Sequence, residues 1–316
     1  MKSIVKVFKI YNMEIKQGWK GIGLSLISAL SLSFVYIFSK AALNTMSLWQ
    51  FGFYWFLIAF LENSLLFFLY GLHKKFFYLS KREIYLILLI AFFELLGTMA
   101  FFASIKLYKN PTVVSFLANI LPITVGVLSY IFLKERFNFF ELFGIIITIL
   151  GAMIIGYQST VLKEIEKIGL GLLMVFTFVI LFSVNTILIR ISVRNSNPLI
   201  ISFFRTLFLF IFSTFMIFYQ HESLMISWNG MKNIIIGASL GPVFGVLTSF
   251  WALKYVEAAI SSTIINAKGF LIMVLAYFYL LIIPESYQIY GGLLAVLGLA
   301  IMSYGKHLKI KSLSEK

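Results

Sequence analysis

Long apolar stretches recur along the whole chain and constrain its fold more than any other feature. Seven of them run for 18 or more residues without a charge: Gly21–Ser39, Ala41–Leu61, Asn110–Leu133, Leu142–Leu162, Ile168–Ile189, Asn233–Leu253 and Ser286–Gly305. Three more contain one charge each: Tyr85–Ile105, Pro198–Tyr219 and Ala258–Leu280. A helix of about 20 residues crosses the roughly 30 Å hydrocarbon core of a bilayer. The sequence therefore predicts an all-α integral membrane protein with ten transmembrane helices.

The composition excludes several other classes of protein. Only 12% of the 316 residues are charged, whereas soluble domains have about 25%. The chain has no cysteine and no aspartate, which excludes disulfides, thiolate metal sites, aspartyl-phosphate chemistry and Ser-His-Asp triads. The histidines lie in separate loops or in the tail, and no phosphate-binding loop or dinucleotide motif is present. The sequence therefore predicts neither an enzyme nor a cofactor or metal site.

The distribution of basic residues predicts the orientation of the chain. Of the 26 Lys and Arg residues, 18 lie in one set of alternate connections, which includes both termini, and 5 lie in the other set. By the positive-inside rule, both termini are expected in the cytoplasm. The expected location is a bacterial inner membrane. Because the net charge of +14 is explained by this topology, no nucleic-acid partner is expected.

The two halves of the chain are similar to each other. An offset of 147 residues relates five residues of the first half to identical residues of the second: Tyr108 to Tyr255, Asn119 to Asn266, Tyr130 to Tyr277, Gly144 to Gly291 and Gly151 to Gly298. A nearby offset relates Lys40 to Arg190. Each half contains five predicted helices, an odd number, so the second half enters the membrane in the opposite sense. This predicts two five-helix inverted repeats, a design that many alternating-access transporters share.

The repeats divide the chain into five segments. These are a cytoplasmic segment at 1–17, the two repeats at 18–157 and 168–305, an external connection at 158–167 and a cytoplasmic tail at 306–316. Pro122 and Pro242 fall inside the fourth and eighth spans, where they are expected to break or kink the helices and free backbone carbonyls. The eighth span also has GxxxGxxxG spacing around Gly241. Close helix packing is the main interpretation of that motif, and a hinge is the alternative.

Several motifs occur once in each half. The first half has Asn119-Ile-Leu-Pro122, the turn Lys134-Glu135-Arg136 and the Gly144…Gly151 helix, and the second keeps Asn266, the Glu285 turn and Gly291…Gly298. Over about Gly18 to Gly305 the chain resembles tandem EamA-type domains of the drug/metabolite transporter superfamily. The resemblance implies a ten-helix bundle in which spans one to four and six to nine line a central cavity. Spans five and ten would lie at the periphery.

Four ionisable residues lie deep in the predicted spans: Glu62, Glu94, Arg205 and Lys268. A charge at the centre of a bilayer costs at least about 2.5–3.5 kcal/mol, so such residues usually face a bundle interior or a water-filled cavity. One interpretation is a set of buried ion pairs that hold the bundle together. In the other, Arg205 or Lys268 binds a carboxylate, and Glu94 binds an amine or carries a coupling proton. Further candidates for lining the cavity are polar or aromatic: Asn119, Asn185, Asn266, Trp55 and Trp251.

These features predict a secondary-active, alternating-access transporter of a small polar metabolite, with an amino-acid-like solute and export favoured. Because no ATPase signature is present, coupling to protons, exchange and facilitated transport stay open. Multidrug or organic-cation efflux is one alternative, and an integral-membrane enzyme or lipid-handling scaffold is another. The expected partners are a small-molecule substrate and the lipid bilayer, with protons as a candidate coupling ion. The expected assembly is a monomer or a homodimer.

Overall fold

Every regular element in the described part of the chain is a helix. The computed structural model describes residues 2–76, 78–108, 111–156, 169–281, 283 and 285–314. The α-helices in these ranges are α1 (Lys2–Leu43), α2 (Leu48–Leu69), α3 (Leu72–Phe76), α4 (Lys81–Leu107), α5 (Pro111–Leu117), α6 (Leu121–Leu128), α7 (Phe139–Gly156), α8 (Gly169–Ser192), α9 (Pro198–Tyr219), α10 (Trp228–Ala238), α11 (Val246–Tyr255), α12 (Ala258–Asn266), α13 (Lys268–Leu280) and α14 (Ser286–Ser314). The predicted all-α class is therefore confirmed for the described residues.

Most of the helical chain is long and apolar enough to cross a membrane. Seven stretches meet that condition: Gln17–Leu43, Leu48–Leu69, Lys81–Leu107, Gly169–Ser192, Pro198–Tyr219, Trp228–Tyr255 and Ala258–Tyr279. Three shorter apolar helices accompany them: Ala118–Leu133, Phe139–Gly151 and Ile289–Gly305. The helix that contains the first span begins far upstream of the predicted apolar stretch, at Lys2.

Polar residues determine where several helices begin. The Ser47 hydroxyl accepts a hydrogen bond from the backbone N–H of Gln50, and the Gln50 side chain accepts one from the backbone N–H of Ser47, which forms a capping box at the start of α2. Ser80 and Glu83 form the same box at the start of α4. Such a cap stabilises a helix by about 1 kcal/mol, because it satisfies backbone donors that the helix leaves unpaired. These caps help to fix the ends of α2 and α4.

Helices α7 and α14 pack against each other through glycines. A Cβ atom at Gly144 would lie 2.4 Å from the backbone nitrogen of Met302 and 2.7 Å from the carbonyl oxygen of Gly298. A Cβ atom at Gly151 would lie 2.6 Å from the carbonyl oxygen of Gly291. The two backbones are therefore in direct contact, which small residues permit in membrane bundles.

Alanine at Gly144 is expected to destabilise the protein by about 1–3 kcal/mol, because the new Cβ atom must push α14 away from α7. At Gly23 in α1, a Cβ atom would meet nothing within 4 Å. Gly23→Ala is therefore a matched control, and it is expected to stabilise the helix by about 0.5–1 kcal/mol. Thermal unfolding in detergent measures both variants. Equal midpoints for the two would contradict the close packing of α7 and α14.

Three of the apolar stretches are interrupted. Between α5 and α6 the chain forms a 3₁₀ turn at Ala118–Ile120, and Pro122 follows it at the start of α6. Between α10 and α11 it forms a π-helical turn at Ser239–Gly245, which contains Pro242. Both interruptions agree with the breaks expected at the two prolines. The third, between α12 and α13, was not predicted from the sequence because no proline marks it.

Candidate functional site

A cavity of about 200 Å³ lies between the helices. Its walls come mainly from α1, α2, α4, α8, α9, α11, α12 and α13, and the described residues of α7 and α14 do not line it. Eight aromatic side chains account for much of the wall: Tyr36, Trp55, Phe56, Phe101, Phe102, Phe178, Phe182 and Phe250. Of the predicted ionisable residues, Glu94, Arg205 and Lys268 all face this cavity.

Glu94, Arg205 and Asn185 form a buried polar cluster in the cavity wall. Glu94 Oε1 and Arg205 Nη2 are 2.7 Å apart, and Asn185 Nδ2 donates a hydrogen bond to Glu94 Oε2. The side chains come from three helices, α4, α9 and α8, and the residues are 6%, 4% and 1% exposed, respectively. Both carboxylate oxygens of Glu94 are thus engaged by other side chains, which compensates the charge of a buried acid.

The Arg205 guanidinium retains unused hydrogen-bonding capacity. Its Nε and Nη1 atoms are buried, and neither has a hydrogen-bond partner in the described ranges. The same is true of Ser262 Oγ on α12 and Asn185 Oδ1 on α8. A buried polar atom without a partner costs about 1–3 kcal/mol. Since Nε and Nη1 can only donate, the Arg205 guanidinium favours a ligand that accepts hydrogen bonds.

Lys268 is a buried cation in the same cavity. Its Nζ atom donates a hydrogen bond to Asn266 Oδ1 at 3.4 Å and lies 5.4 Å from the centre of the Tyr36 ring. The residue is 8% exposed, and it forms no ion pair with any carboxylate that the structure describes. The described side chains therefore form one ion pair around the cavity, Arg205 with Glu94. Together the three charges leave the cavity with one net positive charge.

Two asparagines meet where the apolar helices are interrupted. Asn266 Nδ2, at the end of α12, donates to Asn119 Oδ1 at 2.8 Å and to the carbonyl oxygen of Ala118 at 3.2 Å. Asn119 lies in the 3₁₀ turn between α5 and α6, where the helix leaves backbone carbonyls free. The pair thus satisfies one of those carbonyls and holds Asn266 against the cavity that it lines.

Residues 19–157 and 169–304 each match the model of the EamA-like transporter family. The chain belongs to the EamA-like transporter family. This confirms the resemblance to tandem EamA-type domains in the drug/metabolite transporter superfamily. As an EamA-like transporter, the protein is an integral membrane protein, and its partners are the lipid bilayer and a small-molecule substrate.

A solved structure shares the fold of this EamA-like transporter. Described only as "Crystal structure of protein", it matches with a TM-score of 0.67 and 15% sequence identity, and the match covers 89% of this chain and 97% of the other. At this identity the likeness concerns the fold alone. No curated protein matches the chain.

Two residues predicted as a helix break or hinge line the cavity of the EamA-like transporter. These are Gly241 and Pro242, in the turn between α10 and α11. A Cβ atom at Gly241 would lie 2.4 Å from Val35 Cγ2, and one at Gly237 would lie 2.5 Å from the Trp55 ring. The glycines therefore let α1 and α2 approach the end of α10 and the turn that follows it closely, as the packing interpretation of the GxxxGxxxG motif requires.

Four of the predicted cavity or hinge residues are not among the lining residues that the structure describes: Glu62, Asn119, Pro122 and Trp251. Glu62 accepts a hydrogen bond from Ser239 Oγ at 2.5 Å. Trp251 packs under Lys254, whose Nζ atom lies 5.6 Å from the ring centre. These residues were predicted to belong to the site because they lie deep within predicted spans. Which side chains reach the cavity is decided by the face of the helix on which they lie.

Tyr36 and Ser262 are among the lining residues that sequence reasoning missed. Tyr36 lies beside the Lys268 ammonium, and Ser262 provides an unpartnered hydroxyl. No signal in the sequence separates Tyr36 from the other members of a set of 16 tyrosines. Ser262 could have been found from its position four residues before Asn266, on the same face of the helix.

Basic side chains bind the ends of two helices. Lys40 Nζ donates to the carbonyl oxygen of Tyr108 at 2.6 Å, just after α4. Arg190 Nη1 donates to the carbonyl oxygen of Leu253 in the last turn of α11, and its Nε atom lies 3.4 Å from Glu135 Oε1. Burial raises the pKa of the Glu135 carboxyl, and the charge of Arg190 opposes this shift. Lys40 and Arg190, which the sequence paired by offset, thus each bond a carbonyl oxygen near the end of a helix, α4 and α11 respectively.

Proposed function

We propose that this EamA-like transporter is a secondary-active, alternating-access carrier of a small polar metabolite with a carboxylate group, as amino acids have. The observation that carries the proposal is Lys268, a buried ammonium without an ionic partner in the described chain, in a cavity that otherwise pairs its charges. Isolated buried charges are costly, and in membrane proteins they mark substrate paths. An anionic group of the solute would compensate this charge. The proposed direction is export.

The proposed architecture is ten spans in two inverted repeats, 18–157 and 168–305. Contacts between residues related by the 147-residue offset support it. Asn119 and Asn266 are hydrogen-bonded, and the Thr148 hydroxyl lies 3.5 Å from the carbonyl oxygen of Ala295. Two residues that are related by a twofold axis contact each other only if both lie close to that axis. We therefore propose that the axis lies in the membrane plane and passes close to both of these contacts.

The glycine contacts between α7 and α14 obey the same symmetry. Gly144 approaches Gly298, and Gly151 approaches Gly291. By the offset, Gly291 is the equivalent of Gly144, and Gly298 is the equivalent of Gly151. Each contact is therefore the twofold copy of the other, as an inverted repeat requires. In this proposal both termini lie in the cytoplasm, and the membrane is a bacterial inner membrane.

The polar cluster around Glu94 bears on the mode of coupling. Its carboxylate is held by Arg205 on one oxygen and by Asn185 on the other. A coupling ion that used this carboxylate would have to displace Arg205 or Asn185 from it. We therefore propose exchange of solutes or facilitated transport, in preference to proton coupling through Glu94.

A ligand-stabilisation experiment tests the proposed class of substrate. The purified protein is heated in detergent with carboxylates, amino acids, nucleosides or quaternary amines. A carboxylate-bearing solute at a hundredfold excess over its Kd is expected to stabilise the folded state by about 2.7 kcal/mol. Stabilisation by quaternary amines alone would contradict the proposal and favour organic-cation efflux, the second function that the aromatic walls of the cavity accommodate.

A further inference from the structure

The cavity is unevenly equipped for the two charged groups of an amino acid. Its cations are Lys268 and Arg205, and the carboxylate of Glu94 already bonds Arg205 and Asn185. A solute carboxylate would find the Lys268 ammonium, whose one hydrogen bond within the described ranges, to Asn266, is 3.4 Å long. A solute ammonium would have to take Glu94 from Arg205, and thereby leave that guanidinium buried without its ionic partner.

The unpartnered polar atoms show the same imbalance. Among the buried atoms without a described partner, Nε and Nη1 of Arg205 and the hydroxyl of Ser262 can donate, whereas Asn185 Oδ1 can only accept. An ammonium offers three donors and no acceptor, so it cannot satisfy the two guanidinium atoms of Arg205. A carboxylate offers two oxygens that accept hydrogen bonds and can satisfy several of them.

The aromatic walls of the cavity indicate the chemical nature of the part of the solute that is not the carboxylate. Tyr36, Phe101 and Phe178 form a continuous edge-to-face series, with ring centroids 5.1 Å apart for Tyr36–Phe101 and 5.4 Å apart for Phe101–Phe178. The series starts beside Lys268, since the Tyr36 ring lies 5.4 Å from its Nζ atom. Rings arranged in this way present both faces and edges to a further planar ring.

We infer that the preferred substrate of this cavity is an aromatic monocarboxylate without an ammonium group, bound with its carboxylate at Lys268 and its ring against Tyr36 and Phe101. This inference rests on the proposed function and narrows it, because it excludes zwitterionic amino acids as the preferred solutes. The net positive charge of the cavity disfavours a zwitterion and accepts a monoanion. The aromatic walls favour an unsaturated ring over an aliphatic one.

Four probes that share one skeleton test the inference on the full-length protein. They are 3-phenylpropionate, L-phenylalanine, which adds an ammonium, 3-cyclohexylpropionate, which lacks the aromatic ring, and 3-phenylpropanamide, which lacks the charge. Isothermal titration in nanodiscs is expected to show that 3-phenylpropionate binds at least about tenfold more tightly than L-phenylalanine. It is expected to bind about 2- to 12-fold more tightly than 3-cyclohexylpropionate, because only the aromatic ring stacks edge-to-face.

A variant identifies the group that binds the carboxylate. Lys268→Gln is expected to weaken the binding of 3-phenylpropionate at least about tenfold. The binding of 3-phenylpropanamide is expected to stay unchanged, since only the anion interacts with the charge of Lys268. Lys254→Gln is the matched control, because Lys254 lies over Trp251, which the structure does not place in the cavity wall. If Lys268→Gln does not fold, the comparison of the four probes on the unmodified protein still decides the question.

The outcomes separate this inference from the proposed function. L-phenylalanine binding as tightly as 3-phenylpropionate would overturn the inference and leave carboxylate transport intact. Binding of none of the four probes would also overturn it. Binding of 3-phenylpropionate with the expected selectivity supports it, and counterflow in proteoliposomes then tests transport. If the bound anion is not transported, the carrier function fails while the assignment of the ligand class stands.

Discussion

Arg205→Gln is expected to lower the free energy of unfolding by about 3–5 kcal/mol, because it leaves the Glu94 carboxylate buried without its cation. Nη2 and Oε1 are 2.7 Å apart, and the residues are only 4% and 6% exposed, so water in the cavity replaces little of what the guanidinium provides. Since total stability is about 5–15 kcal/mol, folded yield is expected to fall sharply. Arg205→Lys keeps the charge but loses the planar fork, and we expect it to impair transport as well.

A double variant separates the structural role of this pair from its role in transport. Replacing both partners by apolar residues, as in Glu94→Leu with Arg205→Met, is expected to restore folded yield, because no uncompensated charge remains. We expect this double variant to stay inactive, since both side chains line the cavity. Size-exclusion chromatography measures the yield, and uptake into proteoliposomes measures the activity. Recovery of both would show that the pair serves stability alone.

Lys268→Met is expected to have opposite effects on stability and on transport. Removing a buried ammonium without an ionic partner in the described chain should raise the free energy of unfolding by about 1–3 kcal/mol. The same change removes the proposed ligand of the solute carboxylate. We therefore expect kcat/KM for transport to fall about 30-fold or more. Gains in stability at the expense of function are typical of residues retained for binding.

The matched control for this change is Lys232→Met. Lys232 Nζ lies 5.4 Å from the Trp228 ring centre, the same distance as Lys268 Nζ from the ring of Tyr36, but Lys232 is exposed. Because its charge is solvated, its loss is expected to change stability by less than about 0.5 kcal/mol and to leave transport intact. Undiminished transport by a folded Lys268→Met protein would contradict the proposed site.

The helical class and the family could be predicted because membrane helices depend on local composition. A run of about 20 apolar residues must form a helix in lipid, where each backbone group needs a partner within its own segment. The breaks at Pro122 and Pro242 were predictable for the same reason, since proline lacks a backbone N–H. The break between α12 and α13 was not, because it depends on Asn266 bonding a distant segment, at Asn119 and Ala118.

Of the candidate site, only the charged residues that line the cavity could be predicted from the sequence with a physical reason. A lone ionisable residue in an apolar span indicates a cavity or a partner, and Glu94, Arg205 and Lys268 do converge. Which of them pair depends on helix packing, so the sequence left ion pairs and ligand binding open. Of these three residues, Glu94 and Arg205 form an ion pair, and Lys268 forms none with the carboxylates that the structure describes. Glu94 lines the cavity and Glu62 is not among its described lining residues, because their side chains lie on differently oriented helix faces. That orientation depends on how the helices pack, and hydropathy carries no information about it.

Cysteine labelling at Ser262 tests alternating access most directly, since the chain contains no cysteine of its own. Ser262 lines the cavity and is 6% exposed. A membrane-impermeant thiol reagent is added to right-side-out and to inside-out vesicles. The controls are Ser223→Cys and Ser312→Cys, which the proposed topology places outside the cell and in the cytoplasm, respectively. The account predicts that Ser262→Cys is labelled from both sides, whereas each control is labelled from one side only. Labelling of Ser262→Cys from a single side, or from neither, would contradict it.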